Sequence, residues 1–195
     1  MNQQSTRDRL IDAGLRLMHR HGYTATGVSE ILAEAKVPKG SFYHHFENKE
    51  AFAAAALERY AGREGDHAAK ILHDSRTPPL KRLKRYFADL VRIYGQSGAI
   101  SGCMLGRFSL DLASDNPQLR KRIAASFERW QQNIAGSIRQ ATEENILPSS
   151  VDADSLAAFL LNSWQGALLR SQAERSDVAL HTFLHFAFDV LLKPD

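Results

Sequence analysis

Apolar residues recur along this chain at three- and four-residue intervals, and nowhere in a sustained two-residue alternation. Leu10, Ala13, Leu17 and Met18 form one stripe of a first helix that Ser5 or Thr6 can cap. That helix ends at His21-Gly22, where Gly22 supplies a left-handed C-terminal cap. Val28, Ile31, Leu32 and Ala35 face inward on a very short second helix, with Gly27 at its N-cap. Pro38 pre-sets a third helix through roughly His44, and Asn48 caps a long fourth helix carrying Phe52, Ala56, Leu57 and Tyr60. Pro78-Pro79 breaks the chain before an amphipathic helix from Leu80 to Tyr94, and Gly95, Gly98 and Gly102 punctuate the connection after it. Further helices are expected at about 102–113, 117–145, 152–174 and 177–192. The pattern predicts an all-α fold of about nine helices.

Helix length changes near residue 48. Before it the helices are short, and beyond it they are long with wide apolar faces. Two helices as short as the second and third bury little by themselves. They make sense as a presentation device, one helix supporting another so that it can enter a DNA groove. The chain therefore divides into a small head, residues 1–48, and a larger helical body, residues 49–195, with the fourth helix linking them.

Composition narrows the reading only modestly. The 195 residues are 44% hydrophobic and 24% charged, which is ordinary for a globule with a packed core. A net charge of +3 and a pI of about 9.1 suit a polyanionic partner without demanding one. No apolar run approaches the roughly 18 residues a membrane span needs, and the N-terminus lacks a signal-peptide core. The one cysteine, Cys103, excludes an intramolecular disulfide and agrees with a reducing compartment, so a cytoplasmic location without membrane attachment is expected. There is no Gly-rich phosphate loop, nucleophile elbow or Cys-x-x-Cys motif, so neither enzymatic activity nor a cofactor is expected. His181 and His185 have the i, i+4 spacing of paired metal ligands, but nothing beside them completes a site, and no metal is expected.

Thr6-Arg7, Ala13, Gly22-Tyr23, Thr26, Val28, Ile31, Ala35, Val37, Gly40-Ser41, Tyr43, His45-Phe46 and Lys49-Glu50 fall in one uninterrupted register. Over this stretch, Thr6 to about Phe52, the chain resembles the TetR family of transcriptional regulators. Departures are Gly14 and Leu32, where Ala is usual, and Lys36, where the turn often has Gly. Lys36 occupies a position that favours a left-handed conformation, which Lys adopts at some cost. The resemblance implies a helix-turn-helix head, a ligand-binding and dimerisation body, and a homodimer. Such a protein typically represses nearby genes and leaves its double-stranded operator when a small molecule binds; activators also occur in the family.

The third helix is the expected recognition helix. Phe42 and Phe46 pack inward, while Lys39 and His44 reach base edges or phosphates and Ser41 and Tyr43 hydrogen-bond phosphate oxygens. Gly40 permits close backbone approach. Thr26, Gly27 and Ser29 bring amide donors and dipole to a phosphate, and Lys49 and Arg7 add charge. The competing reading is an ordinary helical surface.

In the body, a cap at Ser101 would place Cys103 in the first turn of the sixth helix, with Arg107 one turn on, both favouring a thiolate. A Gly-Cys here resembles a branch of the family in which some members sense electrophiles or oxidants through a cysteine. The alternative is a buried cysteine acting as a small apolar side chain. Tyr86, Phe87, Phe108, Phe127, Trp130 and Trp164, with Gln165 and Arg170, are either the lining of a pocket for a mostly apolar effector or plain core. The last two helices carry apolar residues over more than one stripe, which predicts a two-fold dimer through a four-helix interface. Its two heads would meet major grooves roughly 34–36 Å apart, or a multiple of that, on a near-palindromic site.

Overall fold

A computed structural model describes residues 4–95, 102–112 and 116–193. Among these residues there are nine α-helices and no strand: α1 Thr6–His21, α2 Val28–Ala35, α3 Ser41–His45, α4 Lys49–Leu72, α5 Pro79–Gly95, α6 Met104–Leu112, α7 Pro117–Glu143, α8 Ala153–Glu174 and α9 Val178–His185. The chain forms two compact units, one of residues 1–63 with 104–126, the other of 64–103 with 127–195. The first unit thus reaches past residue 48, because α4 continues without a break to Leu72 and α6 packs with the head.

Local chemistry sets most boundaries. Ser5 Oγ accepts from the Asp8 N–H at the start of α1, and Asn48 Oδ1 accepts from the Ala51 N–H at the start of α4. Lys36 ends α2 in the left-handed region at φ 55°, ψ 49°, its N–H donating to Ala33 O. Gly22 has the positive φ expected of it, 87°, but its ψ of 166° is extended, so it turns the chain outward and is not a left-handed cap. Pro38 does not start α3: Pro38 to Gly40 form a turn closed by Ser41 N–H to Pro38 O at 2.9 Å, and the helix begins at Ser41. The last helix also differs from expectation. α9 ends at His185 and continues as a π-helical segment, Phe186–Leu191.

In the first unit Phe42, Phe46 and Phe52 form a triangle of rings 4.9–5.4 Å apart, above the fully buried Leu10, Met18 and Ile31. Gly14 explains its own departure from the family pattern, since a Cβ there would overlap the Phe52 ring. In the second unit Phe87 is the hub, with Trp164, Phe183 and Phe188 at 5.0–5.8 Å. Among the described residues no helix is long and apolar enough to cross a membrane.

Candidate functional site

The recognition surface begins with an anchored α3. Its buried side carries Phe42, and the residue that closes it is the buried Phe46, while Tyr43 stands 68% exposed and edge-on to Phe42 at 5.4 Å. Lys39, Gly40 and His44 are exposed as Tyr43 is, and Ser41 is half-buried. Arg7 extends over the Phe46 ring, its guanidinium carbon 5.3 Å from the centroid, which holds a positive charge beside α3.

The turn before α2 is built differently from expectation. Thr26 is fully buried; its hydroxyl donates to Gly22 O at 2.7 Å and its N–H to Tyr23 O at 3.3 Å. It therefore locks the turn and has no donor left for a phosphate. The Gly27 N–H is likewise taken, by Glu30 Oε2 at 3.0 Å, which leaves Ser29 as the exposed polar side chain of the three. Lys49 folds over the Tyr23 ring, with Nζ 4.3 Å from the centroid and 3.5 Å from Thr24 O. Burial draws its pKa down against the pull of Glu50. Burial first, and then Glu50, push the Tyr23 phenol up to about 12.

Tyr23 is also held from α6. Its N–H donates to Asp111 Oδ2 at 2.7 Å, and a Cβ at Gly22 would lie 2.8 Å from that oxygen and 3.1 Å from Arg107 Nη2. The Arg107 guanidinium therefore lies beside Gly22 at the α1–α2 turn. Phe108, on the same helix, is fully buried in this unit's core.

In the second unit Cys103 is buried and immediately precedes α6 instead of lying in its first turn; the expected cap, Ser101, lies outside the described residues, as does Gly98. Cys103 and Tyr86 are both buried in this unit, and the indole Nε1 of Trp130 is buried with no hydrogen-bond partner among the described residues. Burial, then the Glu64 carboxylate, drives the Tyr86 pKa far upward, and burial raises that of Glu64 as well. Of the expected pocket residues, Trp164 belongs to the packed aromatic core, yet its Nε1 has no partner among the described residues, nor does Gln165 Nε2. Phe127 is half-buried. Arg170 is exposed and pairs with Glu174 at 2.6 Å, so it is not a companion of that core. His181 and His185 each pair with their own aspartate, Asp177 at 3.5 Å and Asp189 at 3.4 Å.

Residues 10–56 match a family described as bacterial regulatory proteins, tetR family, and residues 79–187 match the tetracyclin repressor-like C-terminal domain. The chain belongs to the TetR family. It is 35% identical to the HTH-type transcriptional repressor DhaR of Mycobacterium sp. (strain GP1), over 98% of this chain and 95% of that one. It is 28% identical to the HTH-type transcriptional repressor NemR of Escherichia coli K12, over 98% and 96%. Among solved structures, the reduced form of E. coli NemR superposes with a TM-score of 0.89 at 28% identity, covering 96% of this chain and 97% of that one. A regulatory protein TetR from Rhodobacter sphaeroides does so with a TM-score of 0.86 at 32% identity, covering 92% and 95%. This TetR-family chain is a ligand-responsive DNA-binding transcriptional regulator, not an enzyme, and regulators of this family bind DNA operators as dimers.

Sequence reasoning about this TetR-family member missed Asp111, Glu64 and the platform role of Tyr23. Arg107 and Asp111 stand four apart and are legible as a helical pair, but the Tyr23 N–H that Asp111 accepts from is 88 residues away in sequence. Glu64 sits on a helix with many charged neighbours and carries no local sign of burial.

Proposed function

We propose that this chain is a cytoplasmic, dimeric repressor whose α3 reads a near-palindromic operator and whose body, residues 49–195, binds the effector and the partner subunit. The observation that carries it is the two-sidedness of α3. Phe42 and Phe46 root it in the aromatic triangle, so Lys39, Ser41, Tyr43 and His44 are presented on a rigid base. Arg7, Ser29 and Lys49 flank them and supply phosphate contacts; Gly27 and Thr26 shape the turn. Dimerisation uses α8 and α9. Phe159, Phe186, Val190 and Leu191 are each 50–58% exposed and line a groove of about 640 Å³ with Phe183 and Ala167, an apolar surface that a partner subunit would cover.

The effector is a mostly apolar small molecule taken up beside Tyr86, Trp130 and Gln165, whose few polar atoms orient it. A second reading is release by modification of Cys103 with an electrophile or oxidant. It is favoured by the place of Cys103 directly ahead of the helix whose Asp111 holds the head, and by a relative whose structure is described as a reduced form. A band shift with the DNA upstream of the gene, with and without candidate small molecules, tests the proposal. Sequence-specific retention lost on effector addition supports it, and DNA binding indifferent to every small molecule argues for a constitutive binder. A Cys103→Ser chain that still releases DNA normally removes the thiol reading.

A further inference from the structure

Arg82, in the first turn of α5, is 3% exposed. A guanidinium cannot shed its charge to suit a buried site, so it needs hydrogen-bond acceptors and a counter-charge. The structure supplies only part of this. Nη1 donates to Asp74 O at 3.2 Å and Nη2 to Gln140 Oε1. Gln140 is oriented for that role by donating its own Nε2 to Glu144 at 2.7 Å. No carboxylate oxygen lies within 4 Å of Arg82 among the described residues, and the Asp74 carboxylate is spent on Arg76 at 2.9 Å and Arg85 at 3.9 Å. The Nε–H of Arg82 is buried with no partner among the described residues.

Arg82 lines a cavity of about 220 Å³ walled by the end of α4 and one face of α7. Asn133, Ser137 and Gln140 follow one another at helical spacing on that face, and His73 stands at the mouth. Ser137 is itself buried and Asn133 half-buried. Gly136 opens the wall, since a Cβ there would meet nothing within 4 Å. The lining holds one permanent cation, three amides, a hydroxyl and an imidazole, and no carboxylate.

We propose that this cavity binds a small oxyanion, a phosphate or carboxylate group, anchored by Arg82 and completed by Asn133 and Ser137. The charge-assisted fork of a guanidinium matches two oxygens of such a group, and the cavity volume of about 220 Å³ admits the group together with a few waters. The site lies apart from Tyr86, Trp130 and Cys103 in its lining, so it is a second ligand position in the body, one that ties α4, α5 and α7 together when filled.

Calorimetric titration of the full chain with inorganic phosphate and, separately, acetate tests this, with ionic strength held constant by chloride. Saturable binding of one anion per chain is expected with at least one of the two, and which one binds assigns the group as phosphoryl or carboxylate. Gly136→Leu fills the cavity without removing a donor and should weaken that binding at least ten-fold while the helical circular-dichroism spectrum is kept. Arg82→Met should abolish it; where that chain does not fold, Gly136→Leu decides. Absence of saturable binding with both anions, or equal binding by Gly136→Leu, overturns the proposal.

Discussion

The main-chain N–H of Tyr23 donates to the carboxylate of Asp111 across 2.7 Å, joining the end of α1 to α6. Lys49 lies on the face of the same tyrosine, and Arg107 stands beside Gly22. The turn that leads into the helix-turn-helix is therefore fixed from α4 and from α6 at once. Asp111→Ala removes a charged acceptor from a half-buried N–H and should cost about 1.5–3 kcal/mol, a melting temperature lower by roughly 3–10 °C. Asp111→Asn keeps an oxygen acceptor and should lose less. Calorimetric melting of both variants checks the order, and equal melting of wild type and Asp111→Ala would show that the contact holds nothing.

Tyr43 and Lys49 should fail differently at the operator. Tyr43→Ala touches no core beyond the edge of Phe42 and should weaken operator binding with little change in stability. Lys49→Ala should lower the salt dependence of binding by about one phosphate's worth, a slope change near 0.9, and also cost about 0.5–1 kcal/mol of stability through the lost contact with Tyr23. Band-shift titrations across salt concentration, paired with melting curves, separate the two effects. An unchanged salt slope for Lys49→Ala would take that residue out of the DNA contact.

Lys36 sits at φ 55° where a side chain is strained. Lys36→Gly should stabilise the head by about 0.5–1 kcal/mol, the relief at the turn outweighing the extra freedom of glycine in the unfolded chain. Urea denaturation of the two chains measures it directly. A less stable Gly variant would mean that the lysine side chain contributes more than its backbone costs.

Glu64 carries a pKa raised above the ordinary 4.5 by burial. A carboxyl raised in the folded state binds more protons there than in the unfolded chain, so stability falls as pH rises from about 4.5 through the folded value. Glu64→Gln should therefore melt above wild type at pH 8, and the gap should close as pH falls below 4.5. A gap of constant size across that range would exclude the titration of Glu64 as its cause.

Phe159 and Phe186 are exposed by 56% and 58% on adjoining faces of α8 and the π-helical segment. Phe159→Glu should turn a dimer into a monomer at micromolar concentration and abolish operator binding while leaving the helical spectrum intact. Sedimentation velocity reads the first and a band shift the second. A dimer that survives Phe159→Glu and Phe186→Glu together would place the interface elsewhere.

The sequence alone was enough for the all-α class, for most helix ends and for the family, because these rest on local signals. Ser5 and Asn48 cap within three residues of themselves, the i, i+3 and i+4 stripes need no distant partner, and the left-handed turn at Lys36 is set by its neighbours. It also separated the inward Phe42 from the outward Tyr43, since a helix face is a matter of spacing. Tertiary structure decided what each polar group is spent on. Thr26 and the Gly27 N–H serve the turn and not a phosphate, Arg107 stands beside Gly22, and Arg82 is buried with Gln140, 58 residues away. Hydrogen-bond partners and burial depend on which segments meet in space. The energies that select them come from desolvation and close packing, and neither leaves a periodic trace in the chain.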